Sequence, residues 1–311
     1  MAKSPLDLPP LCDYENSDYQ SAFWVHGGRD YEDQAEAIAL KHLLPSHGDW
    51  LLEIGAGAGR NTPRYQAFKH IVLMDYSLTQ LQQAKAHLEN RVTPHADFAG
   101  QSKYIYVAAN VYRMPFIPAF FDCVTIIRVL HHLVDVPLAI QETQRVMAHN
   151  GLLVMEYANK HNLKAILRYW LGKQTWSPFS QEPFEFVKLN YNFHPKWMEG
   201  LLRKEGFIIQ EKRNVSSFRL GMLKKLLPLS WLVHLDATLQ PSGNIFQLSP
   251  SVFLRASTSR MKNIMREEAS LPFVCPSCRA YPLTQSETSL LCSACGFMYN
   301  IIDGIYDLRV S

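Results

Sequence analysis

The sequence predicts an α/β fold, with a mostly parallel seven-stranded sheet that carries helices on both faces and a small cysteine-rich module after it. Three observations support this prediction. Apolar runs of strand length alternate with amphipathic runs of helix length over most of the 311 residues. A glycine-rich turn directly follows the first of these apolar runs, and two C-x-x-C pairs stand close together near the end of the chain.

The individual elements are predicted from apolar spacing and from end signals. A first helix covers residues 31–44, and Ser77 with Gln80 forms a capping box for a second. Further helical stripes begin near Val136 and Trp197. The seven strands are predicted at the runs WLLEIG, HIVLMD, KYIYVAA, FDCVTIIRVL, LLVMEYA, FIIQEKR and SVFLRAS. Since helices separate most of these runs, parallel crossover connections are expected.

The chain divides into four predicted parts. They are an N-terminal segment (1–30), a main domain (31–258), a polar linker (259–270) and a cysteine module (271–311). Within the main domain, residues 159–194 and 214–250 depart from the regular alternation and are rich in aromatic, apolar and basic side chains. We interpret them as inserts on the side of the domain where a ligand enters.

Composition argues against several classes of protein. The net charge of +3 is lower than a dedicated nucleic-acid binder usually carries. No run of eighteen apolar residues predicts a membrane span, and the first residues lack the apolar core of a signal peptide. Six cysteines, four of them in C-x-x-C pairs, suit a reducing compartment, so a cytoplasmic location is expected.

The glycine-rich turn EIGAGAGRN places glycines at 55, 57 and 59. Glycine lets backbone N–H groups approach a ligand at such a strand-to-helix turn. The dinucleotide fingerprint would need a further glycine at position 60, where the chain has Arg60. Asp75 ends the next strand, where a carboxylate can accept both hydroxyls of a ribose. The alternative, that Asp75 only caps the following helix, is weaker because Ser77 is the better cap.

Five motifs in order carry a resemblance to a known family. They are LLEIGAGAGRNT, VLMDYS, ANVYRMPF, FDCVTIIRVLHHLVDV and ETQRVMAHNGLLVMEY. From Trp50 to about Tyr157 the chain resembles the class I S-adenosylmethionine-dependent methyltransferases, in the branch that includes the ubiquinone and menaquinone methyltransferases. The resemblance implies a Rossmann-like fold, a methyltransferase activity and S-adenosylmethionine as cofactor.

The resemblance also implies cofactor contacts at particular positions. Around the methionine part of the cofactor it implies the strand acid and the turn, which are Glu53, Gly55, Ala56, Gly57 and Gly59. Asp75 would hold the ribose and Tyr76 would flank the adenine. Asn110, followed by Val111, stands where the family has an aspartate that bonds the adenine amino group, and its amide oxygen can accept the same bond. Arg128 falls where the family lines the methionine end, although an ordinary strand-end arginine is the alternative.

Methyl transfer from a sulfonium depends chiefly on alignment and on the exclusion of water. A base is needed only where the acceptor must lose a proton. The pair His131 and His132 follows the fourth predicted strand, and His131 is the candidate base. The alternative is that the two histidines cap a helix or bond the backbone.

The inserts leave the class of acceptor open. Their aromatic and apolar side chains suit a hydrophobic small-molecule or lipid-like acceptor, and the modest net charge favours this reading. Basic residues interleaved with aromatics would instead suit RNA, which is the less favoured partner. The aromatics could also form only the inner packing of a lid. Peripheral membrane contact by LKKLLPLSWLVHL is a further option, with Pro228 interrupting any long helix.

The cysteine module has the spacing C-x2-C-x13-C-x2-C, formed by Cys275, Cys278, Cys292 and Cys295. Four thiolates at this spacing suit structural Zn²⁺, and disulfide pairing is the alternative. A catalytic zinc keeps an open coordination position, which four cysteines would close. The metal is therefore predicted to be structural.

The last forty residues carry a second resemblance, through LPFVCPSCRAYPL, LLCSACG and YNIIDGIYDL. This stretch looks like the zinc-ribbon activator protein that partners methyltransferases acting on tRNA, ribosomal RNA and release factors. Asn300 and Tyr306 replace two prolines of the family's pattern. The resemblance implies a ribbon that packs in cis on the methyltransferase domain, and its apolar residues from Phe297 to Leu308 favour that packing.

Three functional hypotheses follow. The favoured one is a methyltransferase that acts on a hydrophobic small-molecule or lipid-like acceptor, with the ribbon as a structural cap. The second is an RNA or protein methyltransferase with a fused activator. The third is a non-catalytic binding module that keeps the cofactor fold, against which the intact glycine turn and Asp75 argue.

Overall fold

The computed structural model describes residues 8–12, 15–17, 28–89, 103–219, 221–258 and 271–310. The strands of the main domain are β1 (Gly48–Ile54), β2 (Phe68–Asp75), β3 (Lys103–Ala108), β4 (Phe121–Ile126), β5 (Met147–Ala158), β6 (Phe184–Val187), β7 (Asn190–Asn192), β8 (Phe207–Val215) and β9 (Ser251–Thr258). Those of the cysteine module are β10 (Thr284–Gln285), β11 (Ser289–Leu291), β12 (Met298–Ile302) and β13 (Ile305–Asp307). The helices are α1 (Asp30–Leu43), α2 (Leu78–Glu89), α3 (Val136–Val146), α4 (Leu163–Trp170), α5 (Pro195–Lys204), α6 (Gly221–Leu226) and α7 (Leu229–Leu239).

The seven predicted strands form one sheet in the order β3-β2-β1-β4-β5-β9-β8. The neighbours from β3 to β5 are parallel, whereas β9 runs antiparallel to both β5 and β8. The seven-stranded, mostly parallel sheet is therefore confirmed. Each of the strands β1 to β4 is buried over four successive positions, which is why these strands read as continuous apolar runs.

Two apolar clusters lie on opposite faces of this sheet. Leu52 and Ile54 of β1 belong to one cluster, which includes residues of α3, and Leu51 belongs to the other, which includes residues of α1 and α2. Alternate side chains of one strand thus enter different clusters, as the pleat requires. Helices cover both faces, as predicted.

The cysteine module continues the sheet beyond β3. β13 pairs in parallel with β3, and β12, β11 and β10 follow, so the complete sheet has eleven strands. Leu308 N donates to Ala108 O at 2.8 Å, and Ile305 and Leu308 are buried. The module therefore packs on the main domain as expected, by covering an edge of its sheet. The predicted packing is wrong for Phe297 and Met298, which are 45% and 61% exposed.

The two inserts form separate structures on the main domain. The first contains α4 and the β6–β7 hairpin, and the second contains α6 and α7. A buried hydroxyl fixes the second insert to α1, because Tyr31 Oη donates to Asp236 Oδ2 at 3.0 Å and accepts from Phe218 N at 2.9 Å. The predicted linker, 259–270, lies outside the described residues, as does most of the N-terminal segment. In the described part of the chain, no helix has the length and apolar character needed to cross a bilayer.

Candidate functional site

A cavity of about 140 Å³ lies at the carboxyl ends of β1, β2 and β4. It brings together eight of the ten predicted cofactor-binding residues, which are Glu53, Gly55, Ala56, Gly57, Asp75, Tyr76, Val111 and Arg128. Gly59 and Asn110 are not on its wall, and neither is His131, although His132 is. In an open α/β sheet this end of the strands is where ligands bind.

Two glycines of the turn meet strict requirements of the backbone. Gly55 has φ +69°, and a Cβ there would lie 2.2 Å from Val129 Cγ2. Gly57 has φ +53°, and its N–H donates to Asp75 Oδ2 at 2.8 Å. Any other residue at Gly55 would therefore combine backbone strain with a steric clash.

Gly59 serves the fold and not the cavity wall. Its φ is +76°, and a Cβ there would lie 3.2 Å from Ala84 Cβ on α2. The third glycine thus permits close packing of the turn against α2.

Asp75 holds the turn in place. Its Oδ2 accepts from Gly57 N, and its Oδ1 accepts from Ser77 N at 3.0 Å. Ser77 Oγ accepts from Gln80 N at 3.2 Å, so Ser77 takes the helix-capping role. The carboxylate of Asp75 therefore stands at the cavity wall with its orientation fixed by the backbone on both sides.

Glu53 is a buried carboxyl group on the same wall. It is 5% exposed, and its Oε2 accepts from Thr62 Oγ1 at 2.6 Å. Burial raises the pKa of Glu53 to about 7, although the Thr62 hydroxyl and the charge of Arg60 act in the opposite direction. Its charge is consequently sensitive to a cation bound in the cavity.

A buried ion-pair network supports the opposite wall. Glu36 of α1 is fully buried and pairs with Arg60 and with Arg128, whose Nη2 and Nε respectively lie 2.8 Å from its oxygens. Burial alone would raise the pKa of Glu36, but the charges of Arg128 and Arg60 outweigh it and lower the pKa to about 2. Arg128 also has φ +63°, and its N–H donates to Glu156 Oε2 at 3.2 Å.

Sequence reasoning missed Glu36. Its signal was the group of acids in the first half of the first predicted helix, Glu32, Asp33 and Glu36, of which Glu32 and Glu36 are buried. Since Arg60 and Arg128 come from two different loops, only the fold shows that they share one carboxylate.

Asn110 caps the short 3₁₀ turn Val111–Arg113 by accepting from Tyr112 N at 2.9 Å. The amide oxygen that was predicted to meet the adenine thus already accepts a backbone bond. Val111, the next residue, does reach the cavity.

The two histidines pack against each other, with ring centroids 3.9 Å apart. His132 is on the cavity wall, and its Nδ1 lies 3.4 Å from the Leu189 carbonyl oxygen in the β6–β7 turn. His131 Nδ1 is buried and has no hydrogen-bond partner among the described residues. Burial lowers the pKa of both, and that of His131 further through the neighbouring His132 and Arg128.

The N-terminal segment also reaches the cavity. Leu11 and Cys12 lie on its wall, and Leu11 forms a β-bridge with Leu133. Glu15 accepts from the N–H groups of Leu78 and Thr79, at the start of α2. Short non-periodic segments give no apolar pattern, so the sequence offered no signal for this contact.

The aromatic residues of the first insert do not line this cavity. Phe193 is buried, but Tyr169, Trp170, Phe179 and Phe186 are exposed. The first insert approaches the cavity through the backbone of the β6–β7 turn, where the Leu189 carbonyl oxygen lies near His132.

The four predicted metal ligands come together in the cysteine module. Their Sγ atoms all lie within 4.8 Å of one another, with Cys275–Cys295 at 3.7 Å and Cys278–Cys292 at 3.5 Å. A disulfide would need about 2.05 Å, and the four cysteines are free, which favours a metal site over the disulfide alternative. Tetrahedral Zn–S bonds of about 2.3 Å place sulfur atoms about 3.8 Å apart, which these distances match.

The two knuckles share one backbone design. Cys275 N donates to Ala280 O and Cys292 N to Phe297 O, each at 2.9 Å. The fourth residue after each first cysteine, Arg279 or Gly296, has φ of +66° or +71°. This repeated left-handed turn directs both cysteine pairs toward a common point.

Arginine side chains join the module to the main domain. Arg279 donates to Met114 O at 2.6 Å and to Glu142 Oε2 at 3.1 Å, while Arg113 donates to Ser277 O at 2.9 Å. At the other end, Arg309 Cζ lies 5.8 Å from the ring centroid of Tyr76. The module therefore touches a residue of the cavity wall.

Comparisons with known proteins agree with this architecture. A family model described as a methyltransferase domain matches residues 52–155. The ubiquinone/menaquinone biosynthesis C-methyltransferase of Hahella chejuensis is 30% identical over 184 residues, which cover 55% of this chain and 71% of the relative. Its counterpart from Cellvibrio japonicus is 24% identical, over 58% of this chain and 76% of the relative. An uncharacterized chloroplastic methyltransferase of Arabidopsis thaliana is 26% identical, over 45% of this chain and 39% of the relative.

Among solved structures, one described as a complex between the Haloferax volcanii Trm112 methyltransferase activator and a putative methyltransferase matches with a TM-score of 0.52. The match covers 78% of this chain and 96% of that one at 11% identity, and so indicates the fold alone. The extent of the match to the Hahella enzyme, together with the family model over the glycine turn and the following strands, decides the family. The chain belongs to the class I S-adenosylmethionine-dependent methyltransferases.

Proposed function

We propose that this methyltransferase transfers a methyl group from S-adenosylmethionine to a hydrophobic small-molecule or lipid-like acceptor. The main support for this class of acceptor comes from the relatives, because two of them are ubiquinone/menaquinone biosynthesis C-methyltransferases. The cavity wall supports it, because most of its side chains near the histidines are apolar, among them Leu11, Val129 and Leu133.

The wall offers a suitable group for each part of the cofactor, which supplies an electrophilic methyl on a sulfonium when it is bound. Asp75 would accept the ribose hydroxyls, and Tyr76 and Val111 would flank the adenine. Glu53 and Arg128, with the turn Gly55–Gly57, would surround the methionine part, and Gly59 would support that turn by allowing it to pack on α2. Asn110 would act on the adenine through its amide, whose N–H₂ group is a donor even while the oxygen caps the 3₁₀ turn.

His131 stays the candidate base, with His132 as the natural comparison. The pKa of each is lowered mainly by burial, so both are in the neutral form near pH 7, and the same burial makes each a weaker base than a free imidazole. His132 is on the cavity wall and His131 is not. Comparing kcat of His132→Asn with kcat of His131→Asn therefore shows which of the two histidines acts as the base. Loss of kcat in the His132 variant alone would remove His131 from the mechanism.

The experiment that tests cofactor binding compares two aspartates. In Asp75→Ala we expect affinity for S-adenosylmethionine, measured by calorimetry, to fall at least about 10-fold, because two charge-assisted hydrogen bonds are lost. Asp122 likewise accepts two backbone N–H bonds, from Asp49 and Trp50, but at the opposite end of the sheet. Asp122→Ala should leave the affinity unchanged. Equal affinities in the two variants would contradict the assignment, and no binding by the unaltered protein would favour the non-catalytic module.

A structural zinc ion is proposed at Cys275, Cys278, Cys292 and Cys295, on the strength of the sulfur distances. Elemental analysis should find about one zinc per chain. The module would then act as a metal-held cap on the sheet edge, joined to the main domain by residues 259–270.

The second candidate is an RNA or protein methyltransferase whose activator is fused in cis. The pairing of β13 with β3 favours it, because an activator that covers a sheet edge needs this geometry. Incubation with methyl-labelled S-adenosylmethionine and separate lipid, RNA and protein fractions distinguishes the candidates. Label in the organic extract supports the lipid-like acceptor, and label in RNA or protein supports the activator reading.

A further inference from the structure

The two inserts expose an unusual amount of apolar surface. On α4, Leu163, Leu167, Trp170 and Leu171 follow the spacing i, i+4, i+7 and i+8, which is one stripe of a helix. That stripe faces outward, with Trp170 69% exposed, whereas Ala165 and Ile166 form the buried side. A stripe of this kind normally faces a protein core.

A second stripe lies on α7. Trp231, Leu235 and Leu239 are spaced by four residues and are all exposed, while Leu232 and Asp236 face inward. The chain then passes through the 3₁₀ turn Gln240–Asn244 to Ile245 and Phe246, which are also exposed.

The two stripes belong to neighbouring parts of the structure. Leu163 N, at the start of α4, donates to Leu248 O at 2.9 Å. Asn159 Nδ2 donates to Gln247 O at 3.1 Å. The segment 245–248 therefore lies between the end of α7 and the start of α4. We call the exposed stripes of α4 and α7, with Ile245 and Phe246, the apolar platform.

The exposed charges on α4 and directly after it are all positive, whereas in the second insert Lys224 pairs with Glu32 of α1. Residues 159–181 contain four Lys or Arg and no acid. Residues 214–250 contain three Lys or Arg and one acid, Asp236, which is buried and bonded to Tyr31. Lys164, Arg168 and Lys173 are exposed, and none of them forms an ion pair within the described part of the chain. Acids begin at Glu182, on the approach to the β6–β7 hairpin.

We propose that the apolar platform docks this protein on the surface of an anionic lipid bilayer. Exposed tryptophan and leucine stripes interleaved with basic residues are suited to the boundary between headgroups and acyl chains, where the rings enter and the cations meet anionic lipid. A second copy of the chain fits less well, because two such surfaces would bring like charges together. The proposal does not depend on which acceptor is methylated.

The test is flotation of the full-length protein with vesicles, either of phosphatidylcholine alone or with about 30% phosphatidylglycerol. We expect binding to the anionic vesicles that weakens as salt is added, and much weaker binding to the neutral ones. Each basic residue near an anionic surface contributes about fivefold in affinity. The variant Lys164→Gln/Arg168→Gln/Lys173→Gln should therefore lose at least about 10-fold.

An apolar variant and a matched control complete the design. Leu167→Ser/Trp170→Ser/Leu171→Ser should lose binding to a similar extent. Ile208 and Met298 are also exposed apolar residues, on β8 and β12, so Ile208→Ser/Met298→Ser should bind as the unaltered protein does. Calorimetry with S-adenosylmethionine shows that each variant is folded.

Three results would overturn the proposal. The first is no flotation of the unaltered protein with anionic vesicles at low salt. The second is equal flotation of the apolar-platform variants and the control. The third is evidence that the apolar platform binds a different partner. That evidence would be a dimer in light scattering that the apolar variant dissociates, or binding to single-stranded RNA in place of vesicles.

Discussion

At the scale of single residues, Glu53 is a buried carboxyl group of the cavity wall whose pKa lies near neutrality. Its pKa in the folded protein, about 7, lies above the ordinary value of 4.5 because the carboxyl is buried. The folded protein therefore binds more protons than the unfolded chain between these values, and stability falls as the pH rises through this window. A cation in the cavity favours the ionised form and so opposes that loss.

We therefore predict a pH-dependent affinity for S-adenosylmethionine. Between about pH 6 and about pH 8, calorimetry should show affinity rising by roughly 5- to 10-fold, since the ionised fraction of Glu53 rises by that factor. Glu53→Gln should bind more weakly at about pH 8 and lose most of this dependence. Titration of the cofactor itself is common to both proteins, so their difference isolates the side chain. Parallel pH profiles would contradict this role for Glu53.

How far the sequence predicts this site depends on where each residue comes from. Gly55 and Asp75 are recognisable because each follows a buried strand whose end is fixed by the sheet. Glu36 and Leu11 are not, because Glu36 lies behind the wall, paired with Arg60 and Arg128, and Leu11 reaches the wall from a short segment, so that only tertiary contacts reveal either position. Phe297 and Met298 are apolar yet exposed, since the short strands of the module offer two faces and only one meets the domain.

At the scale of elements, a buried hydroxyl joins α1 to α7. Tyr31 Oη satisfies both Asp236 and the backbone of Phe218, and Ser216 N donates to the same Asp236 oxygen at 2.8 Å. Burial raises the pKa of Asp236 to about 6, although the hydrogen bonds from Tyr31 and Ser216 act in the opposite direction. Loss of one of these donors would therefore destabilise the buried carboxylate further.

Tyr31→Phe should lower stability by about 1–3 kcal/mol, because it removes one of the two hydrogen bonds that Asp236 Oδ2 accepts and takes away the acceptor of the Phe218 N–H. In thermal unfolding this corresponds to a fall in Tm of roughly 3–10 °C. Tyr169→Phe is the matched control, because Tyr169 is exposed on α4. An unchanged Tm in the Tyr31 variant would show that the hydroxyl does not hold the insert.

At the scale of the whole molecule, the cysteine module and the main domain form one continuous sheet. The strands of the main domain were predictable because they are long and apolar, whereas β10 and β11 are only two and three residues long. Such short strands are held by their neighbours and by the cysteine cluster, which is why apolar pattern alone does not reveal them. Because β13 of the module pairs with β3, β3 is an interior strand of the complete sheet, whereas β8 is an edge strand.

This asymmetry predicts the effect of metal removal. A chelator that strips the proposed zinc, or Cys292→Ser/Cys295→Ser, should release β13 from β3 and create an exposed sheet edge. Hydrogen exchange followed by mass spectrometry should then become faster in residues 103–108, while β8, already an edge, serves as the internal control and stays unchanged. Tm should fall by roughly 5–10 °C, as expected for the loss of a few kcal/mol from a domain of this size. If the metal leaves and exchange in β3 does not change, the pairing of β13 with β3 does not depend on the metal, and the module holds the sheet edge by its apolar and arginine contacts alone.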